Sequence, residues 1–208
     1  MTKPVLISTS PAALNDVEKS AAPAFERYTR LAVALHWIVA ILILGSYSSM
    51  YTRLWFTQKA TWANVTALEI HIAFGISIGV FVALRLAWRL ANRPPALPAG
   101  PKLQLAAAKA THRLLYVMIV VMPLSGYGAT TRLPAYLSLI PGFRNSALYN
   151  WLVSDLLGIS WSAWVKSLYF IHHVSGAYLL WPLILLHVAA AFYHQFGKRD
   201  DGMRRMWF

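Results

Sequence analysis

The stretch His172-His173-Val174-Ser175-Gly176-Ala177-Tyr178-Leu179-Leu180-Trp181-Pro182-Leu183-Ile184-Leu185-Leu186-His187 sets the architecture of this chain. It is an apolar run with histidine at each end. A helix that crosses the hydrocarbon core needs roughly 20 mostly apolar residues. Ionisable side chains at that depth are costly, so each is a functional candidate by default. His173 and His187 stand 14 residues apart. At 100° per residue that spacing returns to within about 40° of the same face, with a rise of about 21 Å. One helix thereby offers two imidazoles to a single interior, stacked across a bilayer.

Three more apolar runs precede this one, giving expected spans at about 31–50, 68–90, 114–129 and 168–192. Composition agrees: of 208 residues, 58% are hydrophobic and 12% charged, against about a quarter charged in a soluble domain. The nine Trp and ten Tyr suit aromatic belts at membrane–water boundaries. The formal charge of +12 does not indicate nucleic acid, because the basic residues flank apolar runs and there is no separate basic domain. The fold class expected is all-α, an integral membrane four-helix bundle occupying 27–208. Its long third connection, about 130–167, should carry one or two short interfacial helices. Residues 1–26 mix Ser, Thr, Pro and charges with no apolar h-region, and are read as a disordered cytoplasmic tail.

Orientation follows from basic residues. Lys19, Arg27 and Arg30, then Arg85, Arg89, Arg93, Lys102, Lys109 and Arg113, then Lys198, Arg199, Arg204 and Arg205 all fall on one side. The other side has Arg53, Lys59, Arg132, Arg144 and Lys166. An even number of spans with this bias puts both termini in the cytoplasm.

Depth sorts the remaining intramembrane histidines. His36, shortly after the start of span one, matches His187 near the end of span four; His71, near the start of span two, matches His173. A haem iron held between two imidazoles needs two histidines at one level on facing helices. The absence of cysteine excludes disulfides, iron–sulfur clusters and covalent CxxCH haem attachment. The expectation is therefore two haem b groups, His36 with His187 on the cytoplasmic side and His71 with His173 on the periplasmic side. Gly75 and Gly176, one turn from His71 and His173, would give a macrocycle room against the backbone.

His172 is the alternative ligand at the outer level, since it registers 15 residues from His187 and about 60° off. Arg85, Arg89 and His112 are candidate propionate or quinone contacts, against plainer readings as snorkelling arginines and an interfacial histidine. His194 reads as solvated, and Met50, Met118 and Met122 as packing. A transporter would need polar residues continuous through the midplane, and the spans offer few, chiefly Ser46, Ser48, Ser77 and Ser125.

Several motifs together resemble the bacterial cytochrome b561 family of the inner membrane. They are Arg27-Tyr28-Thr29-Arg30 leading to Ala34-Leu35-His36-Trp37, Ile70-His71-Ile72-Ala73-Phe74-Gly75, and Arg85-Leu86-Ala87-Trp88-Arg89-Leu90. Thr111-His112-Arg113-Leu114-Leu115-Tyr116, Met122-Pro123-Leu124-Ser125-Gly126, His173 and Leu186-His187-Val188-Ala189-Ala190-Ala191 complete the match. The resemblance implies bis-histidine dihaem ligation, with helices one and two each pairing with helix four, and electron exchange with ubiquinone. Some members of the family look like superoxide oxidases, and Lys166, Arg132 and Arg144 are available to attract that anion. The leading expectation is an oxidoreductase carrying electrons from periplasmic superoxide to ubiquinone. The alternative is a cytochrome b anchor subunit linking a periplasmic dehydrogenase or hydrogenase to the quinone pool.

Overall fold

In a computed structural model the described residues are 27–93, 95, 101–131, 133–199 and 203–207. The tail expected at 1–26 and the basic residue Arg132 lie outside them. Four helices are long and apolar enough to cross a membrane: Arg30–Phe56, Trp62–Ala91, Lys102–Gly128 and Trp161–Lys198. Capping residues set the start of the first, second and fourth. Thr29, Thr61 and Ser160 each accept a hydrogen bond from the backbone N–H three residues on, at 3.3 Å. Such a cap satisfies one of the four donors that every helix start leaves open.

Packing between these helices rests on close fit, since lipid tails are as apolar as the side chains they would replace. Val39, Ile78 and Val82 form the buried centre of the first three helices, with Leu42, Ile43, Phe81, Leu86, Ile119 and Val120 around it. A Cβ on Gly45 would sit 2.6 Å from the Phe74 ring, so that glycine lets the first and second helices meet. A Cβ on Gly79 would stand in ordinary contact with Pro123 of the third helix, at 3.4 Å.

The fourth helix is not uniform. It runs as α-helix over Trp161–Val174, widens to π over Ser175–Leu180, returns to α over Trp181–Phe192 and widens again over Tyr193–Lys198. Pro182 accounts for the first widening. It has no N–H to give and its ring collides with the carbonyl one α-turn earlier, so the helix opens locally instead of breaking. Within the opened segment the Gly176 carbonyl accepts a 2.7 Å hydrogen bond from the Tyr47 hydroxyl of the first helix. That bond matters in hydrocarbon, where no water can take its place. Trp181 Nε1 donates to the Tyr51 hydroxyl at 2.7 Å, a second tie between the same two helices.

Two ends of the bundle can now be distinguished. The loop end carries the first and third connections. Here the third connection carries 3-10 turns at Ala135–Leu137 and Phe143–Asn145, a turn of α-helix at Ala147–Tyr149 and a π turn at Asn150–Leu156. They fold over the helix ends around buried Phe143 and Val153. Tyr127 donates to the Pro141 carbonyl at 2.8 Å, Trp164 to that of Gly128 at 2.9 Å and Tyr136 to that of Glu69 at 2.9 Å. At the opposite, termini end, the 3-10 turn Met203–Met206 returns beneath the first helix. There Trp37 Nε1 donates to the Met206 carbonyl at 2.9 Å.

Candidate haem sites

At the loop end His71 of the second helix faces His172 of the fourth, with ring centroids 6.0 Å apart and planes at 87°. His71 Nδ1 lies 3.0 Å from the Ser46 carbonyl and 3.1 Å from the Ser46 hydroxyl. His172 Nδ1 lies 3.0 Å from the Met122 carbonyl and 3.2 Å from the Ser125 hydroxyl. A carbonyl can only accept, so both Nδ1 atoms carry the proton and both Nε2 atoms present a bare lone pair.

At the termini end His36 of the first helix faces His187 of the fourth, with centroids 6.2 Å apart and planes at 72°. His112 of the third helix stands beside His187, centroid to centroid 5.5 Å, its Nδ1 donating to the Ala108 carbonyl at 2.8 Å. Arg85 is half-buried in the same group. Its charge bears on His36, His112 and His187, and its Nη1 is buried with no hydrogen-bond partner. Arg85 and Arg89 also lie over the Tyr116 ring, at 5.7 and 5.4 Å from its centroid.

These separations can be tested against the group expected between the rings. An imidazole nitrogen bonds a metal at about 2.0 Å and lies roughly 1.1 Å from its ring centroid, so one ion between two imidazoles separates the centroids by about 6.2 Å. Both pairs meet that spacing. The unpartnered guanidinium nitrogen at the termini end suits a carboxylate, which arginine binds in a fork. A Cβ on Gly75 would meet nothing within 4 Å, leaving open space one turn from His71. The residues present therefore fit haem.

The expectation that His173 would face His71 is corrected. His173 is exposed on the outer side of its helix, stacked on Tyr169 at 6.1 Å and edge-on to Tyr178 at 5.9 Å. The cause is the π segment between it and His187. Each π hydrogen bond spans one residue more than an α bond, so the segment absorbs an extra residue. His172, 15 residues from His187, thereby takes the phase that 14 residues give in a uniform α-helix. A Cβ on Gly176 would meet Met122 Cε at 2.9 Å, so that glycine borders the third helix. The glycine that serves this level is Gly126, whose Cβ would stand 3.0 Å from His172 Cε1. His194 is not free in solvent: its Nε2 is 3.3 Å from Gln104 Nε2, and Lys198 donates to the Gln104 Oε1 at 2.6 Å. Ser46 and Ser125, noted in the sequence only as too few for a transport path, are the polar groups at the loop-end imidazoles. Ser125 is 4% exposed, and a buried polar group needs a partner.

Imidazoles paired at metal-bridging distance inside an apolar helix bundle are the arrangement of a membrane cytochrome. Residues 27–208 match the family model for prokaryotic cytochrome b561. The chain belongs to that family, whose members bind haem b, and is an electron-transfer protein of the membrane. It is 26% identical over 188 residues to cytochrome b561 homolog 2 of Escherichia coli (strain K12), covering 87% of this chain and 91% of that one. Identity to cytochrome b561 homolog 1 of the same organism is 26% over 181 residues, covering 86% and 96%. A probable superoxide oxidase CybB of Yersinia pestis is 23% identical over 188 residues, covering 87% and 96%.

Proposed function

We propose that the chain holds two haem b groups, His36 with His187 at the termini end and His71 with His172 at the loop end, and moves electrons between superoxide and ubiquinone. The observation that carries this is the pair of centroid separations, 6.2 and 6.0 Å, each on helices that bring one imidazole from either side. Haem, when bound, supplies reversible one-electron chemistry. The chain supplies fixed ligands, dry helix walls and the spacing along the fourth helix. The reaction balances when two superoxide anions each give up one electron to become dioxygen and one quinone takes two electrons and two protons to become quinol.

The basic bias of the sequence supports both termini, and so the His36 level, lying in the cytoplasm of an inner-membrane protein. Superoxide would then meet the loop end, where Arg144 lies over the Trp161 ring at 5.4 Å. Arg85 and His112 offer a cation and an imidazole to a propionate or a quinone oxygen at the other end.

The purified chain, reduced and compared with its oxidised form, should show a b-type spectrum with two haems per polypeptide. Given a superoxide generator and a quinone analogue, it should form quinol without another subunit. Haem binding without that reaction, together with a co-purifying dehydrogenase, would replace this reading with the anchor-subunit one. Fewer than two haems would overturn the assignment of the pairs.

A further inference from the structure

The two imidazole pairs differ in what stands behind them. At the loop end each Nδ1–H is shared between a backbone carbonyl and a serine hydroxyl. Ser125 Oγ spends its own proton on the Val121 carbonyl at 2.6 Å, so toward His172 it can only accept. A hydroxyl that donates is a better acceptor, because hydrogen bonds in a chain polarise one another. At the termini end neither His36 nor His187 makes a hydrogen bond to any described residue.

Drawing a proton away from Nδ1 makes an imidazole a more basic ligand, which favours the oxidised metal. Cationic surroundings favour the reduced metal, since reduction adds a negative charge. At the loop end Arg53 bears on His71. Arg53 is also engaged, donating to Asn64 Oδ1 at 3.4 Å. At the termini end Arg85 is half-buried and its buried Nη1 lacks a partner among the described residues, with Arg89 beside it over the same Tyr116 ring.

We propose that Ser46 and Ser125 are positioning residues that make the loop-end pair the more electron-donating ligand set, so that an electron delivered at the loop end passes downhill to the termini end. This rests on the reading that both pairs hold haem. It goes further by assigning a cause, in two serine hydroxyls, to the direction of that transfer. Were haem bound at both levels, His71 and His172 would hold the group that gives the electron up, and His36 and His187 the group that takes it. Superoxide supplies it and the quinone removes it.

The test is a potentiometric titration of the purified, haem-loaded protein followed by absorption. Two components are expected. His187→Ala should leave the lower-potential component and His71→Ala the higher. Ser125→Ala and Ser46→Ala should raise the lower component and leave the other in place. The expected change in the equilibrium for sharing an electron between the levels is roughly two- to tenfold for each lost hydrogen bond. Ser125→Thr, which keeps a hydroxyl, should restore most of it. The proposal is overturned if the lower component survives in His71→Ala, or if the serine variants keep both haems and titrate unchanged. Should an alanine variant shed its haem, the order seen in the two histidine variants still decides. A wild-type chain with one haem would instead overturn the underlying reading.

Discussion

The loop end and the termini end of this bundle each bring two imidazoles face to face but support them differently. His71 and His172 are each tied back to the polypeptide through carbonyl and hydroxyl oxygens, and Gly126 leaves the space that the His172 ring occupies. His36 and His187 have no such ties among the described residues and instead sit among charge, beside Arg85 and the third imidazole, His112. Orientation at the first level comes from hydrogen bonds, and electrostatic character at the second comes from a half-buried cation. A pair held by hydrogen bonds should respond to loss of small polar groups. A pair set among cations should respond to loss of charge.

The contrast is broken most severely at the ligands. His172→Ala should remove the loop-end haem and halve the haem content per chain, whereas His173→Ala should leave both haems bound. Equal losses from the two variants would mean that the π segment does not set the register of the fourth helix. Gly126→Val comes next. The added side chain meets His172, and overpacking of about 1–3 kcal/mol should weaken loop-end haem binding by roughly ten- to a hundredfold, measured by haem retention during dilution. At the other level, Arg85→Gln should lower the potential of the termini-end component and spare the loop-end one, reversing the direction expected from the serine variants. A smaller effect is expected from Pro182→Ala. Restoring an N–H lets the fourth helix close toward uniform α geometry, which favours His173 at the loop-end level. In that background alone, His173→Ala should cost haem, a coupling read by a double-mutant cycle.

Much of the fold was legible because the membrane imposes a simple rule, that a spanning helix must be apolar for about 20 residues. The ends were not, because Thr29, Thr61 and Ser160 extend helices by satisfying backbone donors, a contribution that hydropathy does not contain. The level of each histidine followed from its position along its span. The choice between His172 and His173 did not, since it depends on rotation, and a single π segment changes the rotation by a whole residue. Pro182 was visible as a residue that an α-helix accommodates poorly. Nothing local announced that the chain would answer by widening. Ser46 and Ser125 were equally visible, but their role depends on meeting residues 25 and 47 positions away.

The fourth helix contributes one imidazole to each pair, and this orders events during synthesis. His36, His71 and His112 all precede the third connection, so each is made before its facing partner on the fourth helix. Both sockets are completed by the same later insertion. On the proposed two-haem reading neither level can load before the fourth helix is in place, and a chain stopped after Gly128 would lack one imidazole of each pair.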